Sequence, residues 1–372
     1  MKILITIIRI FTGILFIFSG LVKAIDPRGL AYKMQEFFEA FANDGYFKGL
    51  MHILNDYALS FSIIMITLEV IIGLALLLGW QKKFTTIMLL LLMILFTFLT
   101  SYVLFSGKIR ACGCFGDCIP ITPIQTFTKD ILLLIFSLVL LFSRKYILPV
   151  AKPLPLLLYV SVATLLTLFL QFYVLKHLPV IDCLPFKKGN NVLELREMPK
   201  NAVQDKFDYI FVYSKDGANK EFKATELPDS TWEYVDRKQT LIEKGSNNVP
   251  LINDFNLGDE QGNDVTQTVF TNQNEYYLLF IKDFSNDSNQ WLSSIKKLMK
   301  ESNGKKDFYI ITSQVAPVKE FIFKHGLQPT GLLSLDATAL KTAARANPTL
   351  YLMQGPIVKK KWGWGDFWKI DK

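Results

Sequence analysis

Five long apolar runs dominate the first half of the chain: Ile3 to Val22, Ala58 to Trp80, Phe84 to Phe105, Phe127 to Phe142 and Leu154 to Leu175. Most approach the roughly 20 apolar residues that a helix needs to cross the hydrocarbon layer, so the pattern predicts five transmembrane helices. The first run is long for the apolar core of a signal peptide, and Lys23-Ala24-Ile25-Asp26 makes a poor cleavage site, so it reads as a retained helix. Between the first two runs, Tyr32, Phe37, Phe38, Phe41, Tyr46, Phe47 and Tyr57 are mixed with five acids, the pattern of an amphipathic helix lying on a membrane face.

Past Leu184 the pattern changes to short segments. Pro185 to Asn191 reads as a linker, which divides the chain into a membrane unit (1–178), a connection (179–190) and a soluble domain (191–372). Asp208–Tyr213 and Tyr276–Ile281 are apolar enough for strands, whereas Thr231 to Gly245 is polar and reads as a helix-containing spacer. Further on come a helix over 289–301, a strand over 307–312 and helices over 317–325 and 337–346. A hairpin of Thr349–Met353 with Ile357–Trp362 closes the domain, giving a layered α/β arrangement. The fold class predicted is therefore a membrane all-α bundle of five transmembrane helices followed by an α/β soluble domain. The tail from Trp362 to Trp368 either covers an edge of that domain or docks a partner.

Apolar residues make up 51% of the chain and mean hydropathy is +0.27, both consistent with a bilayer as the first partner. Nearly all of the net charge of +8 lies before Leu178. A basic excess that flanks apolar runs sets membrane orientation, which excludes a nucleic-acid footprint. The turns Gln81-Lys82-Lys83 and Ser143-Arg144-Lys145 carry basic residues and no acid. Placing both in the cytoplasm puts the N-terminus inside and residues 26–57, 106–126 and the soluble domain outside.

Two ionisable residues fall within the runs, Arg9 in the first and Glu69 in the second. Charges there are costly, so the expectation is that they face one another as an ion pair or line a polar pocket for a proton or quinone. Gly13, Gly20 and Gly73 offer points of close helix approach. With His52, His177 and His325 scattered, no histidine-based metal site or catalytic triad is expected.

All four cysteines fall on the side predicted to be extracytoplasmic. Cys112, Cys114 and Cys118 lie in one short loop, and Cys183 follows the fifth helix. A four-cysteine zinc site lacks the paired Cys-x2-Cys spacing, so no metal is expected. In an oxidising compartment disulfides are the default, and a Cys-x-Cys pair is an awkward spacing for a relaxed bridge. Cys112 and Cys114 are thus the candidate redox pair, with Lys108 and Arg110 favouring the thiolate and Asp117 opposing it. Cys118 and Cys183 either form a second bridge or relay electrons.

The Cys112-Gly-Cys-Phe-Gly116 loop, followed by Phe127-Thr-Lys-Asp130, resembles the methylamine utilisation MauE family within the DoxX-like membrane superfamily. Ser19-Gly-Leu-Val-Lys23 with Asp26-Pro27, and Glu69 with Gly73 and Gly79, resemble the first two helices of DoxX-type proteins. The resemblance implies a protein of the bacterial inner membrane with a periplasmic domain. It also implies disulfide chemistry with a periplasmic protein partner and a quinone as a candidate cofactor. The soluble half resembles thioredoxin-like domains, with Asn347-Pro348-Thr349-Leu350 standing where that fold has its cis-proline turn. The position of the catalytic Cys-x-x-Cys is taken by Lys282-Asp283-Phe284 and the polar residues after it, so no thioredoxin catalysis is expected there. Two functions follow: a component of an extracytoplasmic thiol/disulfide oxidoreductase system, or a non-catalytic scaffold with structural disulfides that binds envelope proteins.

Overall fold

The computed structural model describes residues 2–109, 113–119, 121–243, 245, 247–283 and 289–370. Among the described residues, seven α-helices form the first half: α1 (Lys2–Ala24), α2 (Pro27–Asn43), α3 (Lys48–Asp56), α4 (Ala58–Leu78), α5 (Lys82–Ser106), α6 (Pro123–Phe142) and α7 (Pro153–His177). Of these, α1, α4, α5, α6 and α7 are long and apolar enough to cross a membrane, and the protein is a membrane protein. Four of them extend their apolar runs by a few residues, whereas α4 stops two residues short of Trp80 at the left-handed Gly79, because caps and not hydropathy set helix ends. At α6, Thr122 and Gln125 form a reciprocal capping box with Pro123 in the first turn, so the helix starts four residues before the first Phe of the run.

Glycines bring α1 and α4 together. A Cβ on Gly73 would stand 2.8 Å from the Gly13 carbonyl oxygen, and one on Gly20 would stand 2.6 Å from a Val70 methyl. No larger residue allows that approach. The predicted amphipathic segment is two helices. In α2, Ala31, Met34, Phe37 and Phe38 pack on the bundle beside Leu99 and Val103, whereas α3 buries nothing and exposes Leu50 and Ile53.

The connection predicted over 179–190 is packed into the soluble unit. Leu184 and Phe186 are buried, the latter against Phe255, and Gly189 and Asn190 exchange backbone hydrogen bonds with Val358. A hydropathy pattern cannot separate a polar tether from a polar strand-like edge carrying one buried Phe. The soluble unit contains α8 (Val192–Arg196), β1 (Lys206–Lys215), β2 (Ala218–Lys223), β3 (Glu233–Glu243), α9 (Thr266–Phe270), β4 (Glu275–Ile281), α10 (Asn289–Ser302), β5 (Phe308–Thr312), α11 (Val315–His325), β6 (Gly331–Ser334), α12 (Ala337–Ala343), β7 (Thr349–Gln354) and β8 (Ile357–Gly363).

Five of these strands form a mixed sheet in the order β6-β5-β4-β7-β8, parallel across β4, β5 and β6 and antiparallel from β4 to β8. Successive side chains of a strand point to opposite faces, and β4 serves both cores. Tyr276, Leu278 and Phe280 join Phe186, Leu340 and Tyr351 on one face. Tyr277, Leu279 and Ile281 join Ile295, Phe321 and Phe367 on the other.

The remaining strands form a separate antiparallel sheet, β2-β1-β3, in which Tyr213 lies opposite Tyr234 and Phe222 packs on Trp232. The segment expected as a helix-containing spacer is a strand, β3. Both faces of that sheet are largely solvated, so its residues show no alternation to read.

The aromatic tail covers an edge and also seats the domain on α7. Phe367 is buried, Asp366 lies 3.1 Å from His177 and Lys176 sits over the Trp364 ring. Gly363 and Gly365 permit the contact, since a Cβ on either would meet Lys176 or His177 at 2.3 or 2.7 Å.

Candidate functional site

At one end of the bundle a buried polar cluster supports the cysteine loop. The buried stripe of α1 includes Thr12, Phe16, Ser19, Gly20 and Lys23, spaced to face α4. Lys23 reaches Glu69 of α4, with Nζ 2.6 Å from Oε2 and both side chains only 4% exposed. The same ammonium donates to Ser19 Oγ and to the Cys114 carbonyl, each at 3.0 Å, and Ser19 donates to that carbonyl at 3.1 Å. A charge taken into the bilayer is tolerated when paired and hydrogen-bonded, and here the pair also fixes the backbone of Cys114. Cys114 itself is buried. Beside it, Lys129 of α6 pairs with Asp130 at 2.7 Å and lies 4.9 Å over the ring of Phe115, the residue that follows Cys114. Cys112 and Arg110 lie outside the described residues.

The expected pairing of Arg9 with Glu69 is not what the structure shows. Arg9 donates to the carbonyls of Leu76 (2.7 Å), Leu77 (2.6 Å) and Leu148 (3.2 Å), capping the C-terminal end of α4. The last carbonyls of a helix lack intrahelical partners and carry partial negative charge, which a guanidinium satisfies. Glu69 is seven residues before Leu76, about 10 Å away along the axis, and its partner is Lys23. The first apolar run ends at Val22, one residue before Lys23, so hydropathy alone does not place Lys23 in the span. The Ser19-to-Lys23 motif contained the signal. Lys108 was expected to favour a thiolate, but it is engaged by Asp44 instead.

The soluble unit closes on the same loop. Arg345, 7% exposed, donates from Nε to Asp26 (2.7 Å) and from Nη2 to Asp117 (2.6 Å), joining α2, the cysteine loop and the domain. Asp117 therefore serves the domain contact. Nearby, Lys282 donates to the Tyr32 hydroxyl at 2.7 Å and Lys341 to Gln35 at 3.1 Å. Burial drives the Lys282 ammonium well below its usual pKa and pushes the Tyr32 phenol up. The Asn347–Pro348 peptide is cis. Asn347 spans the end of β4, accepting from the Lys282 backbone at 2.9 Å and donating to the Asp283 carbonyl at 2.6 Å. Cys118 and Cys183 form a disulfide between the loop and the start of the soluble unit.

Comparison with known proteins falls on these parts unevenly. The family model described as methylamine utilisation protein MauE matches residues 1–143, which contain Lys23, Glu69, the cysteine loop and Lys129. A model described only as a domain of unknown function, DUF8463, matches residues 207–244, the β1 to β3 sheet. The curated "Protein TlpB" of Flavobacterium psychrophilum is 35% identical over 138 residues, 36% of this chain and 35% of that protein. The chain thus matches about a third of that relative's length. No solved structure matches. Over its first four membrane-spanning helices and its cysteine loop, the chain is similar to MauE proteins.

Proposed function

We propose that this protein is an inner-membrane component of extracytoplasmic thiol/disulfide exchange, with Cys112 and Cys114 as the exchanging pair and a membrane quinone as electron acceptor. The observation that carries the reading is the pinning of the Cys114 carbonyl by Lys23 and Ser19, with Glu69 behind them and the Lys129–Asp130 pair alongside. Cations beside a cysteine stabilise its thiolate, the form that attacks a disulfide, and carboxylates beside them offer places for the proton. Similarity to MauE over this part of the chain supports the same reading.

The soluble unit is read as thioredoxin-like and lacking a Cys-x-x-Cys pair, on the order of its five-stranded sheet and the Asn347-Pro348 turn that enters β7 and meets the end of β4. Its role is to hold an envelope partner near the loop. The basic turns at Lys82-Lys83 and Arg144-Lys145 support a cytoplasmic N-terminus and a periplasmic domain. A cysteine introduced at Thr225 should then react with an impermeant thiol reagent in spheroplasts, and one at Gln81 should not; the reverse pattern defeats that orientation.

The test of function uses the full chain in lipid nanodiscs, equilibrated across a graded dithiol buffer and mapped by alkylation and mass spectrometry. The Cys112–Cys114 pair should open in the range of periplasmic exchange proteins and pass electrons to added ubiquinone or menaquinone. A pair that stays closed throughout, together with no quinone reduction, removes this reading in favour of a scaffold.

A further inference from the structure

A cleft of about 580 Å³ opens between the membrane unit and the soluble unit, and Cys118 and Cys183 form part of its wall. Neither cysteine is fully buried. The remaining wall is mixed: Glu36 and Glu39 from α2, Lys341 from α12, and Leu251, which is 65% exposed. A disulfide that only staples two units together needs no such opening. Here it is also not the only tie, because Arg345 holds Asp26 and Asp117, Lys282 holds Tyr32 and Lys341 holds Gln35 across the same seam.

The two cysteines are held differently. Cys183 is anchored on both sides: Asp182 accepts from Lys361 at 2.7 Å, and Leu184 and Phe186 are buried in the soluble unit. Cys118 belongs to the short loop that also contains Cys114, four residues before it. If the bond between them opens, Cys183 stays with the domain and Cys118 stays on the loop, four residues after Cys114 and six after Cys112 in sequence.

We propose that this cleft receives an extended, dithiol-bearing segment of an extracytoplasmic protein, and that Cys118–Cys183 is the bond that oxidises it. The proposal rests on reading Cys112 and Cys114 as an exchangeable pair. A substrate thiolate attacks Cys183 Sγ, the disulfide breaks and Cys118 leaves as a thiolate. The substrate's second thiolate then attacks the mixed disulfide and the substrate departs oxidised, having given up two electrons and two protons. Cys118 next attacks the Cys112–Cys114 disulfide, and Cys183 resolves that intermediate. This restores Cys118–Cys183 and leaves Cys112 and Cys114 as thiols. Their two electrons and two protons convert a membrane quinone to the quinol. The mixed polar and apolar wall suits a peptide segment with side chains of both kinds better than a small thiol.

The probe is a short fluorescent peptide of the form Cys-x-x-Ser, whose missing second thiol leaves the mixed disulfide unresolved. It is offered to the oxidised full chain in nanodiscs, with glutathione at equal thiol concentration in parallel, and acid-quenched products are mapped by mass spectrometry. The peptide should accumulate on Cys183, on the order of tenfold above glutathione, as expected where a site adds recognition to exchange. Labelling should be lost in Cys183→Ser. Because electrons pass from Cys118–Cys183 to Cys112–Cys114, the loop pair should open at the less reducing end of the graded buffer; a Cys118–Cys183 bond that stays closed to its most reducing end and takes no peptide overturns the proposal and leaves the loop reading standing. Peptide on Cys183 while Cys112–Cys114 stays closed supports the receiving site and removes the loop pair. Equal labelling by glutathione overturns the assignment of a peptide to the cleft.

Discussion

In the membrane bundle the large apolar side chains face outward and the charges face in, and the soluble unit inverts that arrangement. Ile3, Phe142 and Phe169 are 78, 80 and 69% exposed, while Lys23 and Glu69 are almost wholly enclosed. In the soluble unit Tyr276, Phe280 and Tyr351 are buried, and ion pairs such as Lys206–Glu243 and Lys238–Glu221 stand in water. Apolar burial from water drives the second arrangement, whereas lipid offers no such gain. Specific contacts in the bundle therefore rest more on glycine packing and on a few buried polar pairs. A single charge deleted from the bundle should cost more than one deleted from the domain surface.

The largest effect is expected at Lys23. Lys23→Met leaves Glu69 charged and unpaired within the bundle and should cost about 3–5 kcal/mol, the usual consequence of halving a buried pair. Unfolding in mixed detergent micelles measures it. The double variant Lys23→Met with Glu69→Leu should recover most of the loss, because the orphaned charge is gone. If the double variant is no more stable than the single one, the pair is not what makes Lys23 matter.

Arg345 tests the seam where the two arrangements meet. Arg345→Ala should cost about 2–3 kcal/mol, less than for Lys23 because Asp117 remains 42% exposed and water screens it. Hydrogen exchange should quicken in α2 and the 113–119 loop. Arg345→Lys should fall between, since a single ammonium does not reproduce a fork that donates to Asp26 and Asp117 together. Unchanged exchange in both segments would show that the disulfide and the remaining contacts seat the domain without Arg345.

The same comparison explains what was legible in the sequence. Length and hydropathy located the spans, because a bilayer imposes one requirement on every residue of a crossing helix. β4, β5 and β7 were legible for a related reason: strands buried on both faces read as continuous apolar runs. β3 was not, because a strand solvated on both faces carries no period. Among site residues, the depth of Glu69 was readable and its partner was not. Hydropathy gives a position along the helix axis but not which turn of a neighbour it meets, and Arg9 proved to be near the far end of the shared interface. The face of the soluble unit that meets α2 was illegible altogether. Arg345 and Lys282 look like ordinary surface cations until the fold brings Asp26, Asp117 and Tyr32 to them.

A smaller effect, visible through pH, comes from Lys282. Its folded value lies well below the ordinary 10.5, chiefly through burial, with Arg28 and Arg345 adding repulsion and Asp283 and Asp26 opposing it. Between those two values the folded chain binds fewer protons there than the unfolded chain does, so stability rises with pH across that window. The penalty is full below the folded value and gone above 10.5. The Tyr32 phenol is raised by burial and works the other way above its usual 10.0. Thermal unfolding of the full chain from neutral pH to about 9.5, below the ordinary tyrosine range, isolates the lysine contribution. Lys282→Met should flatten the rise, leaving the part owed to Lys361, which burial also lowers beside Asp182. An unchanged slope would mean that Lys282 is hydrated in solution.

The smallest effect sharpens the comparison most, because it sets one buried hydrogen bond in lipid against one in the soluble core. Gln171 of α7 donates to Thr67 Oγ1 of α4 at 3.0 Å, and its own Oε1 is buried without a hydrogen-bond partner among the described residues. Tyr276 donates to the Gly355 carbonyl at 2.7 Å inside the domain. Tyr276→Phe strands that carbonyl away from water and should cost about 1–2 kcal/mol. Gln171→Leu removes a bond worth about 0.6 kcal/mol in a membrane protein, but it also removes an unsatisfied acceptor. The Thr67 hydroxyl keeps its own acceptor at Ile63. The net change should therefore lie near zero, or slightly on the stabilising side. The two variants, unfolded in the same micelles, give the difference directly. A Gln171→Leu cost equal to that of Tyr276→Phe would show that Oε1 is satisfied in the folded protein, and would place a polar partner between α4 and α7.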